Sequence, residues 1–338
     1  MEGAMASDTF LIDMNPPASA PAFLAAAGWD GAEIRPLAGD ASFRRYFRVV
    51  EHDRTAILMD SPPDKGEDPR PFIRLARWLG DRGFAAPGIL HEDLAEGLVL
   101  LQDFGDARMR ETVDAAPESE LRLYEAAVDL LVRLAEHGPA DIRPYDLAEY
   151  HREVGLLTEW YCPGVGLEAD AQGYVDAWDK VLASVLEDHT PVTVLRDYHA
   201  ENIMLIEGSE TLGLLDFQDA LAGHPAYDLV SLLQDARRDV PAELETAMLD
   251  RYRRVTGASD AFDVAYHVLG AQRNAKIIGI FTRLWKRDGK PRYAGLCPRV
   301  WTYLERDLRH PALKPVAEWF ETNVPPEMRG DPMAVVGE

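Results

Sequence analysis

The stretch Val194-Leu195-Arg196-Asp197-Tyr198-His199-Ala200-Glu201-Asn202-Ile203, followed by Leu214-Leu215-Asp216-Phe217-Gln218-Asp219, decides how this chain is read. Apolar residues suited to a strand run into a polar loop, return as a second strand, turn, and end a third strand on another acid. The pattern predicts a small sheet with Asp197, Asn202 and Asp216 at one edge. Such a set suits phosphoryl transfer, which needs a carboxylate to take a hydroxyl proton and oxygen ligands to hold magnesium against ATP. An Asp-x-x-x-x-Asn spacing alone is weak evidence, because both residues favour turns. The strand before it, the hairpin after it and the position of Asp216 make the combination specific. Further on, Asp228 reads as a structural residue that caps or braces the helix through residues 229–233.

The rest of the chain sets bounds on that reading. Its 338 residues are enough for two lobes with separate cores. An apolar share of 47% and a charged share of 28% are those of an ordinary globular chain. The net charge of −23 argues against a nucleic-acid binder, which needs clustered Lys and Arg to neutralise phosphates. It favours cationic ligands electrostatically, and otherwise forms a solvated acidic surface. Cys162 and Cys297 are too few for a disulfide framework or a zinc site. No apolar run approaches a membrane span and no basic-then-apolar leader is evident, so a cytoplasmic protein without membrane association is expected.

Before the motif, residues 16–30 read as a short helix closed by Gly28. Residues 33–37, 46–51 and 55–60 read as strands separated by Gly39-Asp40 and His52-Asp53. A helix is expected over 69–82, ending at Gly83, and strands over 89–91 and 98–102. These elements make a small N-terminal α+β lobe over residues 16–103. A mainly helical lobe is expected over 104–325, with helices at 117–137, 145–161, 168–188, 226–237, 241–255, 260–286, 292–308 and 316–323. Only the segment around the motif interrupts them with strands, at 192–195, 203–207 and 212–215.

In this setting the motif resembles the catalytic and metal-binding loops of the aminoglycoside phosphotransferase and choline kinase superfamily, relatives of the protein kinases. That family carries His-x-Asp-x-x-x-x-Asn and then a strand ending in Asp-x-x-Asp. Here the residues are Leu195-x-Asp197-x-x-x-x-Asn202 and Asp216-Phe217-Gln218-Asp219, and Gly223-x-Pro225-x-x-Asp228-Leu229 resembles the family segment that follows. Leu195 replaces the family's histidine, which removes a loop brace but no catalytic group. The resemblance implies an α+β, two-lobe protein-kinase-like (aminoglycoside phosphotransferase) fold. It implies ATP and Mg2+ as cofactors, Asp197 as the catalytic base, and Asn202 and Asp216 as metal ligands. Asp219 is a candidate assistant at the metal and a candidate substrate contact.

On the nucleotide side, Gly39 and Ser42 fall between the first two strands, where the family has its phosphate-covering loop. Small residues there let backbone N–H groups approach phosphates, and Arg44 or Arg45 could add charge. Leu100-Leu101-Gln102-Asp103-Phe104-Gly105 resembles the hinge whose backbone hydrogen-bonds adenine, which makes Gln102 and Phe104 candidate contacts. One departure stands out. The family's third strand ends in a Lys that pairs with ATP phosphates and with a Glu on the next helix. Here Met59 or a neighbour takes its place, and the helix at 69–82 offers no evident Glu. Either Arg44, Arg45 or Lys65 substitutes, or the chain is a nucleotide-binding scaffold without catalysis.

Gly39-Asp40-Ala41-Ser42-Phe43-Arg44-Arg45-Tyr46-Phe47-Arg48, Met59-Asp60-Ser61-Pro62-Pro63, Gln272-Arg273-Asn274 and Ile278-Gly279-Ile280-Phe281 narrow the resemblance. With the central motif they resemble a bacterial family of anomeric kinases acting on N-acetylmuramate and N-acetylglucosamine, over about residues 38–293. That resemblance implies phosphorylation of the anomeric hydroxyl in peptidoglycan recycling, with the product passed to a sugar-1-phosphate uridylyltransferase. Candidate sugar contacts are His199, Glu201, Asp219 and Arg273, since a sugar pocket needs polar groups for hydroxyls. Arg273, Lys276 or Arg283 could meet an acidic lactyl group. A rival reading is an aminoglycoside- or choline-type kinase, which suits the negative charge.

Overall fold

A computed structural model describes residues 15–37, 44–187 and 189–337, so Gly39 and Ser42 lie outside the described residues. In chain order the first elements are α1 (Ala20–Ala26), β1 (Glu33–Pro36), β2 (Arg45–Glu51), β3 (Arg54–Asp60), α2 (Arg70–Gly80), β4 (Ile89–Asp93) and β5 (Leu98–Gln102). Next come α3 (Met109–Ala115), α4 (Glu120–Glu136), α5 (Leu147–Leu156), α6 (Cys162–Gly164) and α7 (Ala171–Leu186). Four short strands follow: β6 (Val192–Val194), β7 (Ile203–Leu205), β8 (Leu212–Leu214) and β9 (Leu221–Gly223). The chain continues with α8 (Ala226–Leu233), α9 (Ala242–Thr256), α10 (Asp260–Lys286), α11 (Cys297–Asp307), α12 (Lys314–Asn323) and α13 (Pro332–Val336). The chain forms two compact units, one running to Ala107 and taking in Met204–Asp219, the other made of Arg108–Ile203 and the chain from Ala220 onward.

The first unit is built on an antiparallel sheet of order β1-β2-β3-β5-β4. A strand sends successive side chains to opposite faces, and here the two faces differ in chemistry. Phe47 and Val49 of β2, Ala56 and Leu58 of β3, and Leu98 and Leu100 of β5 form one apolar face. Phe23 and Leu24 of α1, with Trp29, cover it. Tyr46 lies opposite Met59 and Arg48 opposite Ile57 on the other face. His52, with φ 53°, turns the β2–β3 hairpin in the left-handed region that such two-residue turns require. The β7–β8 hairpin is bound here too: Leu214 N–H donates to Ala85 O at 2.7 Å, and Leu205 N–H to Ala107 O at 2.7 Å. Gly213 lets β8 sit against the Phe104 ring, which a Cβ would approach to 2.8 Å.

The strands around the motif depart from the expected single sheet. β6 pairs with β9 and β7 pairs with β8, as two separate ribbons. Between β6 and β7 the chain passes through the left-handed backbone of Arg196 (φ 72°) and the helical turn at Ala200–Asn202. The edge of β6 is then taken by Leu221–Gly223, a run too short and too Gly-rich to read as a strand.

In the second unit α10 is the central element, packed by α5, α7, α8 and α11. Its residues Val268–Gly279 are buried on every side, as expected of a helix that runs through a core rather than along its surface. Gly279 permits a close approach: a Cβ there would lie 2.4 Å from the backbone of Leu156 at the end of α5. Among the described residues, no helix is long and apolar enough to cross a membrane.

Candidate active site

In the second unit, β6 delivers the chain into the loop that holds Asp197. Main-chain bonds fold the loop back on itself: Asp197 N–H donates to Leu195 O at 2.9 Å, and Asp197 O accepts from His199 N–H at 3.1 Å and Asn202 Nδ2 at 3.0 Å. Tyr198 is buried and its hydroxyl donates to Ala127 O of α4 at 2.8 Å. Asp228, expected to serve its own helix, instead reaches across from α8. Its two carboxylate oxygens accept Leu195 N–H at 2.6 Å and Arg196 N–H at 2.8 Å. It braces the left-handed Arg196 immediately before Asp197, a strained conformation that persists only where surrounding contacts hold it. Burial pushes the Asp228 carboxyl up to about 7 in spite of those two bonds.

Around the loop lies a buried charge network centred on Glu153 of α5. Glu153 accepts from Lys276 Nζ at 2.9 Å, Gln272 Nε2 at 3.2 Å, the Tyr145 hydroxyl and the Arg196 guanidinium. Burial opposes its charge, but Lys276 and Arg196 outweigh that and keep its pKa low. Asp197 follows the same logic: burial raises its pKa, while Lys276, His199, Arg273 and Arg196 together bring it below the ordinary value. The loop acid is therefore ionised at neutral pH. Glu153→Gln should cost roughly 3–5 kcal/mol of stability, because it leaves Lys276 and Arg196 as uncompensated buried charges. Denaturant unfolding of the variant checks this, and a loss below about 1 kcal/mol would refute the network's role.

The structure places the expected sugar contacts of this unit as follows. His199 is buried, and its Nε2 faces two donors, Arg237 Nη1 at 3.2 Å and Asn202 Nδ2 at 3.4 Å. That nitrogen therefore carries the lone pair and Nδ1 the proton. Burial lowers its pKa to about 4, so the ring is neutral. Arg273, on α10, is only 3% exposed and lies within electrostatic reach of both Asp197 and His199. Arg273 Nη1, His199 Nδ1 and Asp235 Oδ2 are buried without a hydrogen-bond partner among the described residues. Buried polar atoms are almost always satisfied, so two donors and an acceptor left unpaired around His199 fit a polar ligand. Glu201 pairs with Arg110 and, at 3.1 Å, with Arg237.

Glu153 and Asp235 were not singled out from sequence. Glu153 has a readable signal: with Tyr150, Val154 and Leu157 it sits at helical spacing on a buried stripe, where an acid needs partners. Asp235 lies just beyond α8, after Gln234, and carries no local signal.

In the first unit, Asp216 adopts φ 57°, a left-handed conformation uncommon outside glycine. Phe217 is fully buried and stacks on Phe72 of α2 at 5.0 Å, which anchors the turn, and Gln218 Nε2 donates to Asp216 Oδ1 at 2.7 Å. Asp219, in the same turn, lies within electrostatic reach of Arg44. Arg44 pairs with Glu67 at 3.1 Å, and Arg45 Nε donates to Asp60 at 2.7 Å. Met59, one of the candidates for the place of the family's Lys, is fully buried. Gln102 N–H donates to Gly88 O at 2.8 Å, and Arg48 pairs with Asp103 at 2.8 Å, which fixes the end of β5.

Residues 33–264 match the model of the phosphotransferase enzyme family. A Caulobacter vibrioides protein named N-acetylmuramate/N-acetylglucosamine kinase is 36% identical, with 91% of this chain and 96% of that protein covered. A Pseudomonas aeruginosa protein of the same name is 39% identical, with 88% and 91% covered. Among solved structures, a choline/ethanolamine kinase family protein from Mesorhizobium loti superposes with a TM-score of 0.61 at 16% identity, covering 89% of this chain and 97% of that one. An ADP-bound aminoglycoside phosphotransferase superposes with a TM-score of 0.58 at 16% identity, covering 85% and 94%. These likenesses establish the expected α+β kinase-like fold, and by sequence the chain belongs to the phosphotransferase enzyme family.

Proposed function

We propose that the chain is an ATP- and magnesium-dependent kinase that phosphorylates the anomeric hydroxyl of N-acetylmuramate and N-acetylglucosamine. The observation that carries the substrate is identity of 35–39% to four kinases of that name, over most of each chain. The unpaired, buried polar atoms of Arg273, His199 and Asp235 support a polar ligand at the loop that holds Asp197. Asp197, ionised among its cations, accepts the hydroxyl proton and orients the oxygen for attack. Asn202 and Asp216 are assigned to magnesium, for which amide and carboxylate oxygens are suitable hard donors. The Asn202 nitrogen is committed to Asp197 O, which fixes how the amide presents its oxygen. When bound, magnesium neutralises charge on the phosphates. Gly39, Ser42, Gln102 and Phe104 are assigned to ATP. A sugar 1-phosphate suits a uridylyltransferase as its consumer, and the need for ATP places the step in the cytoplasm.

The product's position is testable directly. A 1-phosphate has no free reducing end, so borohydride leaves it unchanged, whereas a 6-phosphate is reduced to an alditol phosphate. Incubation with ATP, magnesium and either sugar should give a phosphorylated product that resists borohydride. A reducible phosphorylated product would refute the anomeric assignment. Turnover with choline or an aminoglycoside instead of the sugars would overturn the substrate class.

A further inference from the structure

The register of the first unit's sheet separates two adjacent arginines that the sequence leaves equivalent. Arg45 lies opposite Asp60 and shares its face with Phe47, Val49, Ala56 and Leu58, the face covered by α1. There it binds Asp60 and the carbonyl of Asn15 at 3.0 Å. Tyr46, one residue on, lies opposite Met59 on the other face. Arg44, two residues before Tyr46, is bonded to that tyrosine and to Glu67, which stands just ahead of α2. Arg44 is in reach of Asp219, and Tyr46 is in reach of Asp216. A guanidinium, a carboxylate that steadies it and the acid turn thus gather on the face that carries Met59.

We propose that Arg44, held by Glu67, is the cation that contacts the ATP phosphates, replacing the lysine–glutamate pair absent from β3 and α2. The proposal rests on the ATP-dependent reading above. A guanidinium suits this task because its fork can engage Glu67 and a phosphate oxygen at once, which a point-charge ammonium does less well. Glu67 is a positioning residue. Arg45 is bound to β3 on the opposite face and takes no part in phosphate binding.

The test is equilibrium binding of ATP and of adenosine, each with magnesium, to the full chain by calorimetry. Wild type binds both. Arg44→Gln should weaken ATP about ten- to hundred-fold, the scale of a hydrogen bond to a charged group, and leave adenosine within about twofold. Arg44→Lys should recover part of the loss, and Glu67→Gln should weaken ATP by about threefold without changing adenosine. Thermal unfolding of each variant confirms a folded chain. Unchanged ATP affinity in folded Arg44→Gln overturns the proposal, as does an equal loss of ATP and adenosine. Wild type that binds no ATP defeats the kinase reading itself, and this assignment with it.

Discussion

Asp216→Asn lowers kcat by about a thousand-fold in a chain that remains folded. The substitution keeps the side chain's shape and removes one charge. The fold is protected for two reasons. Asn tolerates the left-handed φ of 57° better than most residues, and its amide oxygen can still accept from Gln218. Phe217, stacked on Phe72, holds the turn independently of the acid. On the proposed assignment an anionic oxygen for magnesium disappears, so the concentration of magnesium needed for half-maximal rate should rise as kcat falls. Steady-state kinetics over a magnesium series checks both, and near-normal turnover would remove Asp216 from the metal site.

The second large effect belongs to Asp197. Asp197→Asn should lower kcat between about a hundred- and ten-thousand-fold, the range for loss of a positioned general base. Apparent KM for ATP should hardly change, because the loop keeps its form. The bonds that shape it run from Asp197 N–H to Leu195 O and from His199 and Asn202 to Asp197 O, all main-chain atoms at position 197. Asp228 grips the preceding residues from α8 in either variant. Equal losses in kcat and in ATP binding would mean that the loop, rather than the carboxylate, had been damaged.

The legible parts of this protein are those whose signal is local. The limits of α10 follow from a long proline-free run between Asp260 and Lys286, and β2, β3 and β5 from apolar runs bounded by turns. The short α3 was not foreseen, because Met109 and Val113 alone give too brief a stripe for a helical period. The pairing of β6 with β9 was not foreseen either, since three-residue strands lack pattern and their partner is chosen by the loop between. The candidate site residues divide the same way. Asp197, Asn202 and Asp216 fall in two neighbouring stretches of one motif. Glu153 meets Lys276 and Gln272 only through the packing of α5 on α10, and Glu67 meets Arg44 only through the fold of the first unit.

Gly279 bears on how sequence variants of this protein should be interpreted. The α10 backbone touches the end of α5 at that point with no room for a methyl group. A helix is stiff along its axis, and Arg273 lies six residues away, about 9 Å at 1.5 Å per residue. A wedge at position 279 would be transmitted as a displacement of Gln272, Arg273, Asn274 and Lys276 together. A carrier of such a change would show weakened catalysis with every catalytic side chain intact, and a survey of inactive alleles would misfile a spacer as a participant in the chemistry.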